Sequence, residues 1–471
     1  METLRMALWV LLSVQLLQCG VPPSDLGIVV GTLIDGTGND PKHDVVVVVD
    51  AGRIRAILPK SEFDSHFVQE VIDASDKVLI PGLFDMHGHV TMARREVEMK
   101  NGRWQFTVSF RRDVAEWMLR QLLFYGITTI RETADSLEET LRLKNDLSKG
   151  SIPGPRMFTC GPLIEAAPPL FRTLSTVVSS EAEARAEVRR QVEAGVDFLK
   201  IYASLQPHLA RAVVDEAHRL NKRVLGHLGA TTWKEATEMG VDGIVHAHNV
   251  TPRDILREDQ LSKIENLPFP QNQFVAYELF DPTAKPAQEL FQMMREKKVA
   301  NDPTLVVFRN YTAAPDFLSE EQGEETNAVP PFMREGWQQE LSVTGPKSDS
   351  EYEEFLNAIE HMMRFVRAAY EAGVTILAGS DFANPNTLPG LSLHQELELL
   401  VEAGIPPLTV LKIATRDAAD YLGILVEVGT VEPGKQADLL ILSKDPLENI
   451  RNTREIFSVI QAGQVVEGKA L

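Results

Sequence analysis

Two kinds of hydrophobic pattern divide the chain. At its ends, short apolar runs follow one another with turn residues between them. Residues 26–34 are mostly apolar, 35–40 read DGTGND, 44–50 contain five consecutive valines, and 54–58 are apolar again. Short apolar runs bounded by Gly, Asp and Asn read as buried strands. Residues 428–471 have the same texture, with GTVEPGKQADLLILS followed by IFSVIQAGQVVEG. The first set cannot close a core by itself, and the second is its expected complement.

Between them, apolar runs of strand length alternate with stretches of helical period. Helices are predicted over 110–125, 137–147, 180–194, 207–221, near Lys234, and over 287–298 and 353–372. They lead to predicted strands at 127–132, 156–160, 198–202, 224–227, 243–246, 303–307 and 375–380. Within 207–221, Leu209, Val213, Val214, Ala217 and Leu220 form one stripe, as a helix lying on a sheet requires. Adding an apolar run that starts at Val78 makes eight strands. That is the count of a (β/α)8 TIM barrel, with a parallel sheet inside and helices outside. Residues 250–285 and 309–350 break the rhythm and are predicted as long loops at strand ends, either substrate lids or solvated insertions.

Composition narrows the classes. The 471 residues, 44% hydrophobic and 24% charged, suffice for a large core and more than one domain. A net charge of −20 argues against nucleic acid or an anionic membrane surface as partner. Two cysteines, Cys19 and Cys160, cannot build a disulfide framework. Arg5 precedes an apolar run over 7–17, too short to span a bilayer and of the length of a signal segment. Residues 1–19 are therefore expected to be a signal peptide. Leu16-Leu17-Gln18-Cys19 resembles a bacterial lipoprotein cleavage box, with Gln18 where a small residue is usual. Cys19 is a candidate lipid anchor, and the expected location is periplasmic or attached to a bacterial membrane.

The candidate chemistry sits where the predicted strands end, the face on which such barrels carry their active sites. Residues 78–90 read VLIPGLFDMHGHV and end in His87-Gly88-His89. Two histidines at i and i+2 on a strand share a face and can grip one cation. Gly88 between them admits a close neighbour. Other predicted strands end in Lys200, His227, His246 and Asp381. Each alone would be an ordinary strand end, a surface lysine or a helix cap. Six metal-competent residues on one rim point jointly to a metal site. Lys200, in an apolar strand, can be a neutral amine able to take up carbon dioxide.

PGLFDMHGH at 81–89 resembles the PGLID-x-H-x-H form at the first barrel strand of the amidohydrolase superfamily. VDFLKIYAS, VLGHLG and MGVDGIVHAHN resemble motifs of its prolidase-like and imidazolonepropionase-like branch. VLGHLG lacks that branch's second histidine. The resemblance implies a barrel over 81–424 and one small β-sandwich built from 26–80 and 425–471. It implies a binuclear site held by His87, His89, N6-carboxylated Lys200, His227, His246 and Asp381, with zinc as the expected metal. The two ions would generate a bridging hydroxide. Asp381 would act as the proton carrier, and His246 or a neighbour would steady the oxyanion. Tyr202, Arg131 and His248 are the candidate substrate-binding residues. The expected activity is hydrolysis of an amide C–N bond in an Xaa-Pro dipeptide or an N-acyl amino acid. The alternatives are a cyclic amide hydrolase or a deaminase, and last a non-catalytic scaffold. A small-molecule substrate and a homo-oligomer are the expected partners.

Overall fold

A computed structural model describes residues 24–100, 103–313, 315–323 and 325–466. The expected signal peptide and Cys19 lie outside the described residues. No described helix is long and apolar enough to cross a membrane.

Strands from both ends of the chain form one seven-stranded sheet. In spatial order they are Gln464–Val465, Ile456–Gln461, Leu439–Leu442, Val68–Pro81, Ser24–Leu33, Lys42–Asp50 and Arg53–Pro59. The central pair, Ser24–Leu33 on Val68–Pro81, is parallel, and Leu439–Leu442 runs antiparallel to the latter. The sheet bends back on itself, for the edge strand at Ile54 exchanges backbone hydrogen bonds with Gly434 and Lys435. Alternation then sorts the valines. Val45, Val47 and Val49 pack with Leu439, Ile441 and Ile460 in the enclosed core, whereas Val46 and Val48 pack on the other face with Val29 and Val68.

The barrel strands are Leu83–Gly88, Ile127–Glu132, Arg156–Thr159, Phe198–Ile201, Arg223–Gly226, Gly243–Val245 and Ala300–Asp302. The eighth position is filled by residues 375–382. The ring closes through single bridges, Cys160 to Phe198, Asn301 to Ile376 and Gly88 to Phe382. Backbone hydrogen bonds reinforce the seam, Met86 N to Ala378 O at 2.9 Å and Asp381 N to His87 O at 2.7 Å. The role foreseen for Gly88 is visible there. A Cβ on it would lie 2.1 Å from the Phe382 ring.

Three expectations are corrected. The seventh strand is Ala300–Asp302, not 303–307. Pro303 has no N–H for the ladder, Thr304 turns left-handed (φ 45°), and Leu305–Thr312 continues as a helix. The two stretches expected as loops carry helices instead, including Gln271–Leu279 and Pro331–Thr344. A hairpin, Arg94–Lys100 paired with Arg103–Ser109, rises directly after the first barrel strand.

Candidate active site

All six predicted ligands converge at the C-terminal mouth of the barrel. His87 Nε2 lies 3.5 Å and His89 Nε2 2.9 Å from Asp381 Oδ1, and His246 Nδ1 lies 3.8 Å from Oδ2. Lys200 Nζ is 3.4 Å from His87 Nε2. The His227 ring centroid is 4.7 Å from that of His246. His87, His246 and Asp381 each offer a ligand atom within 4.8 Å of the others. All six side chains are buried or nearly so.

Three of the four imidazoles have a polar partner on Nδ1. His87 Nδ1 meets Asp302 Oδ2 at 2.9 Å, His89 Nδ1 meets the Ala134 carbonyl at 3.2 Å, and His246 Nδ1 meets Thr304 Oγ1 at 2.7 Å. With Nδ1–H donated to those acceptors in His87 and His89, their Nε2 lone pairs point inward at a carboxylate. Lone pairs converging on a carboxylate are what a divalent cation relieves, so the donor set fits such an ion. His227 Nδ1 has no hydrogen-bond partner among the described residues. Asp85 ties the first strand to the eighth, accepting from His87 N at 3.1 Å and from Ser380 Oγ at 2.6 Å.

Burial sets the protonation states. It holds His87, His227 and His246 far below the ordinary histidine range, as neutral ligands. It pushes Lys200 down to about 8 and Asp302 up to about 7. Two of the functional residues, His246 (φ 67°) and Asp381 (φ 54°), sit in the left-handed region. Non-glycine residues are held there only by surrounding structure.

The centre opens into a cavity of about 430 Å³, which Tyr202 and His248 both line. Tyr202 packs tilted against His227 with ring centroids 4.4 Å apart, and His248 stacks on Phe308 at 5.9 Å. Arg131 does not line it. Its Nε donates to the Met86 carbonyl at 2.6 Å and its Nη2 to Asp302 Oδ2 at 3.0 Å. It is buried beneath the site, so the expectation that it binds substrate is corrected. It braces the carboxylate that braces His87. Sequence reasoning missed Asp302 and Thr304, because the seventh strand was taken to end at Val307. The Asp-Pro step at 302–303 was the available signal. It also missed Arg95, Trp104 and Glu340, which reach the cavity from the hairpin and the helix Pro331–Thr344. The alternation Trp104, Phe106, Val108 was a signal for the hairpin strand, whereas no spacing marks Arg95 or Glu340.

Residues 78–466 match the profile described as the Amidohydrolase family. The chain belongs to the amidohydrolase family, whose members are typically metal-dependent. Its fold is similar to that of a Xaa-Pro dipeptidase solved with bound methionine in its active site. That likeness has TM-score 0.68 and 22% identity, over 94% of this chain and 100% of that one. It is also similar to a protein from Bifidobacterium longum proposed to be a prolidase, with TM-score 0.68 and 25% identity over 94% and 95%. Imidazolonepropionase from Rhizobium meliloti (strain 1021) is 43% identical over 94 residues, 19% of this chain and 22% of that protein. The chain thus aligns with about a fifth of the length of that relative.

Proposed function

We propose that the protein hydrolyses the C–N bond of a small amide, with Xaa-Pro dipeptides and N-acyl amino acids as the nearest substrate chemistry. The observation that carries this reading is the convergence of four histidines, Lys200 and Asp381 on one buried point at the mouth of the barrel. Divalent ions bound there, zinc in the first instance, would supply electrophilic activation of water and of the substrate carbonyl.

The chain's own residues divide the remaining work. His87, His89, His227 and His246 present neutral nitrogens. Lys200 is buried, and among the described residues it makes no ion pair. As a free amine it would react with carbon dioxide, forming an N–C bond and releasing one proton. The product is an anionic carbamate beside His87. Asp381 accepts a proton from the attacking water and delivers it to the leaving nitrogen. The products are a carboxylate and an amine. Burial raises the Tyr202 phenol above its usual range, so it keeps its proton and can donate to the carbonyl oxygen as negative charge develops. The reading keeps the protein exported from the cytoplasm.

Amine release from Xaa-Pro dipeptides, Xaa-non-Pro dipeptides, N-acyl amino acids and cyclic amides tests it, with zinc-loaded and metal-stripped protein compared. Zinc-dependent release is expected. Release confined to cyclic amides would support the second reading, to which the local likeness to imidazolonepropionase points. Lys200→Ala should lose activity by roughly 10³-fold, and a short carboxylate such as propionate should restore part of it. Undiminished activity in Lys200→Ala would remove the carbamate.

A further inference from the structure

The cavity above the ligands is walled by aromatic rings. On one side Tyr202 leads to Phe171 (5.8 Å, edge-on) and Phe171 to Phe106 (5.2 Å, stacked). On the other His248 leads to Phe308, and Phe308 to Phe355 at 5.6 Å. Trp104 from the hairpin also lines the cavity. Two aromatic walls starting at the reacting centre accept a flat or bulky apolar group, with polar atoms at their inner ends on Tyr202 and His248.

The charges in the cavity close on each other. Among its described lining residues the Lys and Arg side chains are Lys200, which belongs to the metal end, and Arg95. Arg95 is engaged on every side. Its Nε and Nη2 donate to the two Glu340 oxygens at 2.9 and 2.6 Å, and its Nη1 donates to Asn384 Oδ1. Glu340 also accepts from the Tyr311 hydroxyl at 3.2 Å. Both ions are buried, with 7% and 2% of the side chain exposed. Capturing a substrate carboxylate with Arg95, or a substrate ammonium with Glu340, would break a bidentate buried pair. That strands one charge, which is strongly unfavourable.

We infer that, within the amide-hydrolase reading, this site selects substrates whose group beside the scissile amide is bulky, apolar and uncharged. Within the N-acyl and Xaa-Pro class proposed above, this narrows the preferred substrates to those with an aromatic acyl group and a blocked carboxyl end, and free dipeptides and free N-acyl amino acids are cleaved more slowly. Glu340 acts here as a specificity-determining residue, because it neutralises the one cation that could bind a free carboxylate.

The test compares four compounds on the zinc-loaded full chain. They are N-(2-naphthoyl)-prolinamide, N-(2-naphthoyl)-proline, N-acetyl-prolinamide and glycyl-proline. The neutral naphthoyl amide is expected to exceed its free acid about tenfold in kcat/KM, and glycyl-proline about a hundredfold. Glu340→Gln frees Arg95 and should close or reverse the gap between amide and acid. Trp104→Ala, on the hairpin, should lower only the naphthoyl compounds, and it stands in if Glu340→Gln does not fold. A free acid cleaved as well as its amide by the unaltered protein would overturn the inference. If none of the four is cleaved, the hydrolase reading fails for amides of this class. The inference is then read from calorimetric binding of the same amide–acid pair, and equal or tighter binding of the acid would overturn it.

Discussion

The floor and the walls of the cavity are built on different physics. At the floor three of the four candidate ligand histidines have a polar partner, and the fourth, His227, is held by ring contacts. Asp302 holds His87, Thr304 holds His246 and the Ala134 carbonyl holds His89. At the walls, rings such as Phe106, Phe171, Phe308 and Phe355 hold one another by contact. Directional bonds fix atoms to tenths of an ångström, which chemistry needs. Ring contacts fix a shape and a polarity, which is enough to choose a substrate. The floor should therefore be intolerant of change and define the reaction, while the walls should tolerate change and define what is cleaved.

The comparison breaks first at Asp381. Asp381→Asn keeps the volume and removes the proton carrier. It should lower kcat by roughly 10³-fold, the range of general acid–base catalysis, with the thermal unfolding temperature nearly unchanged. Steady-state kinetics beside circular dichroism measures both. A loss below about tenfold would mean that the floor does not carry the chemistry as argued.

The next effect is smaller and separates support from reaction. Asp302 Oδ2 accepts from His87 and from Arg131 at once. Asp302→Asn weakens both contacts without touching the cavity. Partners of this kind change metal affinity by about 10–100-fold when lost. Zinc titration monitored by calorimetry should show that drop, while kcat at saturating zinc falls far less. Equal losses of affinity and of saturated kcat would place Asp302 in the reaction itself.

How much of this was legible follows from the same division. The convergence of His87, His89, Lys200, His227, His246 and Asp381 was readable because a barrel exposes its strand ends on one rim, and an apolar run shows where a strand ends. Arg131 was misread for a related reason. It lies at a strand end, but sequence position does not show whether a side chain turns into the mouth or back under it. The Arg95–Glu340 pair spans 245 residues. One partner comes from a hairpin whose alternation, Trp104, Phe106 and Val108 between polar residues, marks a strand but not which way Arg95 on the paired strand turns. The other comes from a helix inside a stretch whose prolines and acids read as loop. Walls assembled from distant segments leave local traces, such as the alternation at 103–109, but no sign in the sequence of which segments meet. The terminal sheet was legible because five consecutive valines fit a strand buried on both faces.

The smallest effect tests the support of the wall without altering the chemistry. Glu396, on the helix Leu391–Glu402, is fully buried, and its Oε2 accepts from Val306 N at 2.8 Å. That bond anchors the helix carrying Phe308. Burial pushes the Glu396 carboxyl up from its ordinary value to about 8. In the unfolded chain the group ionises near 4.5. Between those two values the folded state holds a proton that the unfolded state has lost. Stability therefore falls as pH rises through this window, and the stabilising contribution is complete only below it. Glu396→Gln keeps a carbonyl acceptor for Val306 and cannot ionise. Its unfolding temperature should match the unaltered protein near pH 4.5 and rise above it progressively toward pH 8. The gain at the upper end should be on the order of 1–2 kcal/mol, with kcat/KM for a neutral amide held within about twofold. A gain independent of pH would mean that the carboxyl is already ionised in the fold. A large change in kcat/KM would mean that floor and wall are mechanically coupled through this helix.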